Sequence, residues 1–394
     1  MKSGLIYLEK KLCSFAAISP DNGGMGEYKK AEWLKKYIRE KNLGKITEFN
    51  AKDLRVEEKI RPNFNIFCKG QTNQNLWFIC HLDVVPQNDL SKWRSNPFEL
   101  KIKKNRLYAR GVVDNNAGIC ACVIALENIL KKQSKPYFNV NLLFVSDEET
   151  GNKYGIKYIL DNFDLFSKND LIVVPDAGDE NGLSIFIAEK NPLRIKFKIL
   201  GKEAHSSQPD KAINAFRAES YFIVELDKLN KIFGQKNDLF TLGSTFEPTK
   251  KIANIENINL IPAEGIFFMD CRLLPSLKSE LVLKEIDKIQ QSIEIKFKVK
   301  IKRQIIMNEM PAPTTKKQAK IIELLKKQIK KIKKKELILK GLGGMTFASI
   351  LRKKGLDVAV YCTTNNSCHC ANEYCQIDKL IEDAKVFENL MSNK

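Results

Sequence analysis

The sequence predicts an α/β protein whose mixed, mainly parallel sheet is covered by helices and interrupted by an inserted βαββαβ domain. Two observations carry this expectation. Over residues 1–190, short apolar runs of strand length alternate with helical patterns, the β–α–β order of a parallel sheet buried on both faces. Within residues 191–303 the apolar residues of Leu193–Ile199 and Ile293–Ile301 instead alternate with charged, mostly lysine, residues, as in half-exposed strands. Past Pro311 the first style returns, so residues 304–394 read as the second part of the first domain.

Taken in order, Leu76 to Cys80 is a buried strand ending at His81, and Ala117 to Leu130 is helical. Val140 to Val145 and Leu171 to Val174 are further strands. The insertion opens with Leu193, Ile195, Phe197 and Ile199 alternating with Arg194, Lys196 and Lys198. A helix from Ala212 to about Phe233, strands at Ile252–Leu260 and Gly265–Leu273, a helix at Leu281–Ile289 and a strand at Ile293–Ile301 complete it. That is the split βαβ order, with Ile293–Ile301 a candidate edge strand. In the last part Ile321, Ile322, Leu325, Ile329 and Ile332 recur at helical spacing beneath the basic stretch Lys326–Lys335, and Val358–Cys362 is the clearest strand.

Composition narrows the function classes. The 394 residues are 43% hydrophobic, enough for a sizeable core, which excludes wholesale disorder. No run of eighteen apolar residues occurs and the N-terminus offers no signal-peptide core, so a cytoplasmic protein is expected, with no membrane partner. Ten cysteines are too sparse for a secreted disulfide scaffold. Sixty-six Lys+Arg against 47 Asp+Glu give a charge of +19, which raises the alternative of a basic nucleic-acid-binding protein without hydrolase activity. Lysine, not arginine, dominates that charge, and no zinc-finger or helix-turn-helix spacing is present, so nucleic acid is not the expected partner. Histidine is scarce: only His81, His205 and His369.

The chemistry-bearing residues gather at strand ends. His81-Leu82-Asp83 closes the first buried strand, and a carboxylate beside a histidine fixes its tautomer, a common support for a metal ligand. Taken alone, the pair fits a satisfied structural histidine better than a ligand. Asp114 stands at the mouth of a helix, where it could also cap it. Asp147-Glu148-Glu149 follows another strand, and three adjacent carboxylates point to a cation nearby or else to a solvated acidic loop. Asp176 lies just beyond a fourth apolar run. In open α/β sheets ligands bind beyond the carboxyl ends of strands, and Asp, Glu and His together suit Zn²⁺, Co²⁺ or Mn²⁺.

With these motifs in this order, the chain resembles the co-catalytic zinc exopeptidase and deacylase family, which includes succinyl-diaminopimelate desuccinylase, acetylornithine deacetylase, carboxypeptidase G and aminoacylase. The matching stretches are His81-Leu82-Asp83-Val84-Val85-Pro86, Asp114, Glu148-Glu149, Asp176, His205-Ser206-Ser207-Gln208-Pro209 with Asn214, and His369-Cys370-Ala371-Asn372-Glu373. The resemblance implies a zinc-exopeptidase-like catalytic domain with an inserted lid and dimerisation domain, hence a homodimer. It implies two divalent metal ions per chain, with Asp114 bridging, His81 and Asp176 on one side, and Glu149 and His369 on the other. It makes Glu148 the general base on the attacking water, Asp83 the support of His81, and His205 the stabiliser of the tetrahedral intermediate. Arg272, Asn214, Asn259, Gly344 and Thr346 become candidate substrate contacts, although Arg272 could equally form an ion pair with Asp270. The implied reaction is cleavage of a small N-acyl amino acid, or else of a peptide end by a carboxypeptidase or dipeptidase. Asn115-Asn116 departs from the commoner pair after the bridging aspartate, where the family has a cis peptide. Cys368 and Cys370 flank His369 where other small or polar residues are usual, and with Cys375 they are read as buried packing, a disulfide element or extra soft ligands, packing first.

Overall fold

The computed structural model describes residues 1–252 and 257–393. These divide into two compact units, one built from Met1–Ile187, Thr315–Lys340 and Thr346–Lys394, the other from Ala188–Thr314 and Gly341–Met345. The first unit holds a mixed sheet in which four neighbouring strands run parallel: Asn139–Val145, Asn75–His81, Leu171–Asp179 and Val358–Thr363. Lys45–Glu48 and Phe64–Cys68 extend it antiparallel beyond Asn139–Val145, and Ser184–Glu189 pairs antiparallel with Val358–Thr363. All seven residues of Asn139–Val145 are buried, the continuous burial that a strand covered on both faces needs. Helix Asn116–Lys131 is apolar on nearly every side and packs against helices Ile377–Ser392 and Lys2–Leu12. Its first turn approaches the sheet closely, since a Cβ on Gly118 would stand 2.3 Å from the Pro175 carbonyl oxygen.

The basic stretch lies on helix Lys320–Lys333, whose Ile321, Ile322, Leu325 and Ile329 are buried while Lys326 and Lys330 pair with Glu323 and Glu336. It is a lysine-coated helix, part of whose charge is met by acids on and beyond it.

The second unit is a four-stranded antiparallel sheet in the order Thr245–Ile252, Glu264–Leu273, Asn191–Leu200, Lys300–Asn308. Helices Ala215–Leu226 and Ser279–Phe297 supply the rest of its core, which includes Phe197, Phe222, Phe267 and Ile286. The β-α-β-β-α-β order stands, but two of its strands move. Residues 293–297 are the end of helix Ser279–Phe297, not a strand: Val282, Ile286, Ile289 and Ile293 are buried at spacings of four and three, whereas Ile295 is 79% exposed. Lys298 ends that helix in a left-handed conformation (φ 54°), and the edge strand begins at Lys300. The strand expected at Ile252–Leu260 lies instead at Thr245–Ile252, and residues 253–256 fall outside the described residues. The long helix expected at Ala212–Phe233 is two helices, Ala215–Leu226 and Lys228–Phe233, and the Leu171 strand runs on to Asp179.

Candidate metal centre

Each of the four parallel strands ends in, or leads directly to, a polar side chain of one cluster. His81 is the last residue of its strand, Glu148 and Glu149 follow Asn139–Val145, Asp176 lies within Leu171–Asp179, and His369 follows Val358–Thr363. Asp114 joins them from the entry to helix Asn116–Lys131, through a cis peptide bond to Asn115. It does not cap that helix. Its two oxygens face different histidines, Oδ1 at 2.9 Å from His81 Nε2 and Oδ2 at 2.9 Å from His369 Nε2. Asp176 Oδ1 lies 3.2 Å from the same nitrogen of His81, and Glu149 Oε1 lies 3.2 Å from that of His369. One acceptor of His81, Asp114 and Glu149 each falls within 4.8 Å of the others.

The supports of the cluster are as specific as its members. The Asp83 carboxylate accepts the backbone N–H of Glu148 at 3.0 Å and of Glu149 at 2.9 Å, and lies 3.4 Å from His81 Nδ1. Lys30 Nζ donates to the Leu82 carbonyl at 2.7 Å, fixing the peptide between His81 and Asp83. Glu373 accepts from Gly111, Val113 and Asp114 N–H and from Arg110 Nη1, at 2.7 to 3.3 Å, and so holds the loop that presents Asp114. The cation expected beside Asp147-Glu148-Glu149 is Arg61, fully buried, with Nη2 3.6 Å from Asp147 Oδ1. It also forks onto Glu27, whose Oε1 accepts Asp147 N–H at 3.3 Å. Sequence reasoning missed Lys30, Arg61, Arg110 and Glu27, because a single charged residue far along the chain carries no local pattern.

The electrostatics is that of crowded donors. Burial, followed by the charge of Asp176, pushes the Glu148 carboxyl well up. Its carboxylate makes no hydrogen bond or ion pair to any described residue. Burial and then Asp114 raise Glu149 to about 7. Asp114 goes the other way: burial acts to raise it, but hydrogen bonds from His369 and His81 outweigh that and hold it low. The hydrogen bond to Asp114, with the Glu149 carboxylate close beside it, pushes His369 up to about 11. Glu149 Oε1 lies off hydrogen-bond geometry despite the short distance to His369, so it is buried and unsatisfied. Buried carboxylates around two imidazole nitrogens, one of them with an orphaned oxygen, fit hard-to-borderline divalent cations.

The other sequence-predicted residues make none of the contacts of this cluster. His205, Arg272, Asn214, Asn259 and Gly344 belong to the second unit, and Thr346 belongs to the first. His205 is exposed; its Nδ1 accepts from Ser207 N–H at 3.2 Å and lies 2.8 Å from Ser207 Oγ. Asn214 caps helix Ala215–Leu226 by accepting Arg217 N–H at 2.9 Å. Arg272 donates to Asp270 through Nε at 2.6 Å and Nη2 at 3.3 Å, the ion pair weighed above. Asn259 is exposed and accepts Ser206 N–H through its backbone oxygen. Gly344 borders open space, and the Thr346 hydroxyl accepts Ala348 N–H, starting helix Ala348–Lys353. All ten cysteines are free, and Cys370 is exposed, so packing does not account for it.

A family model described as peptidase family M20/M25/M40 matches residues 77–393. An uncharacterized metallohydrolase of Methanocaldococcus jannaschii is 38% identical over 405 residues, with 98% of each chain covered. A succinyl-diaminopimelate desuccinylase of Wolbachia pipientis wMel is 24% identical over 404 residues, covering 100% of this chain and 94% of the relative. The crystal structure of an M20 family metallo-carboxypeptidase from Sulfolobus solfataricus superposes with a TM-score of 0.75 at 21% identity, over 100% of this chain and 99% of the other. No helix among the described residues is long and apolar enough to cross a membrane.

Proposed function

The chain belongs to peptidase family M20/M25/M40, metallohydrolases of amide and peptide bonds, and from that premise we propose that it cleaves the amide of a small N-acyl amino acid. The observation that carries the reading is Asp114, whose two oxygens each meet a different histidine, with a further carboxylate beside each pair. On this reading His81, Asp114 and Asp176 would hold one divalent ion, and Asp114, Glu149 and His369 a second, zinc foremost with cobalt or manganese as alternatives. Ions bound there supply Lewis acidity and a water whose pKa falls to about 7.

The protein's own residues do the rest. Asp83 fixes the backbone of the Glu-Glu pair, so that Glu149 turns to the cluster and Glu148 remains unpaired. The Glu148 carboxylate takes a proton from the attacking water and returns it to the leaving nitrogen, a task its raised pKa suits. His205 is read as the donor to the developing oxyanion: Ser207 N–H makes Nδ1 the acceptor, which leaves the proton of the neutral ring on Nε2. Arg272 is assigned the substrate carboxylate, with Asn214, Asn259, Gly344 and Thr346 as further contacts. Residues 191–303 are assigned to a lid through which two chains pair, and the cytoplasm is the expected compartment.

The whole-chain match to a desuccinylase supports the acyl-amino-acid reading, and the likeness of fold to a metallo-carboxypeptidase supports an exopeptidase as the second. A panel of N-succinyl amino acids, N-acetyl amino acids and dipeptides, assayed with Zn²⁺, Co²⁺ and Mn²⁺, separates them. Turnover of dipeptides alone would overturn the first reading. Replacing Glu148 with Gln should lower kcat by a factor of about 10² to 10⁴ while metal content stays at the parent level. Retained turnover would remove Glu148 from its role.

A further inference from the structure

The +19 charge is not spread evenly over paired residues. A cleft of about 600 Å³ opens beside the small sheet formed by Lys101–Lys103, Arg106–Tyr108 and Tyr374–Gln376. Arg94, Lys101, Lys103, Lys104 and Arg106 line it together with the rings of Trp93 and Tyr108, and no carboxylate does. On helix Lys320–Lys333, Lys326, Lys330 and Lys333 each pair with a carboxylate; here only Lys101 has one, Glu99, while Arg94, Lys103 and Lys104 pair with no carboxylate among the described residues. Five cations around one concavity repel one another, and an anion bound between them offsets that repulsion.

The walls are fixed in advance. Trp93 Nε1 donates to the Gln87 carbonyl at 2.9 Å, and the Arg110 guanidinium lies 5.2 Å from its ring centre. Tyr108 packs on Tyr374 at 5.8 Å, and Tyr374 in turn carries Arg106 at 4.2 Å. Asn372 anchors the cleft's side, accepting Arg94 N–H at 2.9 Å and donating to the Lys92 carbonyl at 2.8 Å. Aromatic rings and cations lining one cleft offer contacts to both a flat π-system and phosphate oxygens. A volume of this size takes a molecule of small-ligand dimensions.

We infer that this cleft binds a nucleoside phosphate, at a site separate from the metal centre and independent of which amide the protein hydrolyses. The test uses the metal-loaded full chain, with ADP as probe and calorimetry and the change in tryptophan fluorescence, assigned to Trp93 by its loss in Trp93→Phe, as readouts. Saturable binding is expected, with pyrophosphate alone at least about tenfold weaker because it lacks the ring. The double replacement Lys103→Ala and Lys104→Ala should weaken ADP at least about tenfold while amide hydrolysis stays at the parent rate. Both lysines are exposed, so folding is not at risk. Equal affinity for ADP and pyrophosphate, or ADP binding untouched by the double replacement, overturns the assignment. So does an oligonucleotide that displaces ADP with a steep salt dependence, which would make the cleft part of a strand-binding surface.

Discussion

Replacing Arg61 with Met tests whether the buried network behind the Glu148-Glu149 loop holds the first unit together. Arg61 is fully buried and meets three carboxylates: Glu27 by a two-pronged hydrogen bond (Nε–Oε2 2.7 Å), Asp53 at 3.5 Å and Asp147 at 3.6 Å. Methionine fills much of the same volume, so the change is mainly one of charge. Removing one partner of a buried ion pair costs about 3–5 kcal/mol, because the other charge stays behind without compensation. The loss should depend on pH. Burial already pushes the Glu27 carboxyl up, and without Arg61 it moves higher. A carboxyl whose folded pKa exceeds its unfolded value costs stability increasingly as pH rises from the unfolded value, and in full above the folded one. The deficit is therefore expected to be larger at pH 8 than at pH 5.

All three tryptophans, Trp33, Trp77 and Trp93, lie in the first unit, so their fluorescence during guanidinium unfolding reports that unit alone. The double variant Glu27→Gln with Arg61→Met should recover part of the loss, since a neutral amide replaces the stranded charge. A loss below about 1 kcal/mol at pH 8, or no recovery in the double variant, would refute the reasoning.

Other outcomes follow from the same structure. Asp53, held below the usual carboxylate range by the hydrogen bonds of Arg55, contributes stability above its unfolded pKa and loses it as pH falls through the folded value. Asp53→Asn should cost about 1.5–3 kcal/mol at neutral pH, with a difference from the parent that narrows below about pH 4, read by unfolding at a series of pH values. Arg272→Ala should change stability by no more than about 1 kcal/mol, because its ion pair is only half-buried, while raising KM for carboxylate-bearing substrates; an unchanged KM leaves it a purely structural residue. Chelation should abolish hydrolysis and lower the melting temperature of the first unit, and zinc at a hundred times its dissociation constant should return about 2.7 kcal/mol. A melting curve insensitive to metal would contradict the cluster's assignment.

The parts of this protein that sequence could disclose are those with a local pattern. Apolar runs at Leu76–Cys80 and Val140–Val145 had to be covered strands, and each ended beside a side chain with metal-binding chemistry. Three scarce histidines made the motifs easy to find. Strand Thr245–Ile252 escaped because it lies at the sheet edge with six of its eight residues exposed, leaving no alternation to read. Residues 293–301 misled because the last helical turn and the first strand residues together imitate a period of two. The Glu27–Arg61 and Arg110–Glu373 pairs were illegible for a different reason: their partners lie 34 and 263 residues apart, and only the folded sheet brings them together.

The span of those contacts also sets the order in which the centre can be built. Asp114 waits for His369, 255 residues later, and its loop takes its shape from Glu373, which arrives later still. During synthesis, His81, Asp114, Glu149 and Asp176 are all made before His369, so for about half of the elongation the cluster lacks one of its two histidines. On the proposed assignment, a cation captured then would meet only part of its final coordination and could leave again. Selection of a metal would thereby be deferred to the finished protein, after the C-terminal segment closes the cluster.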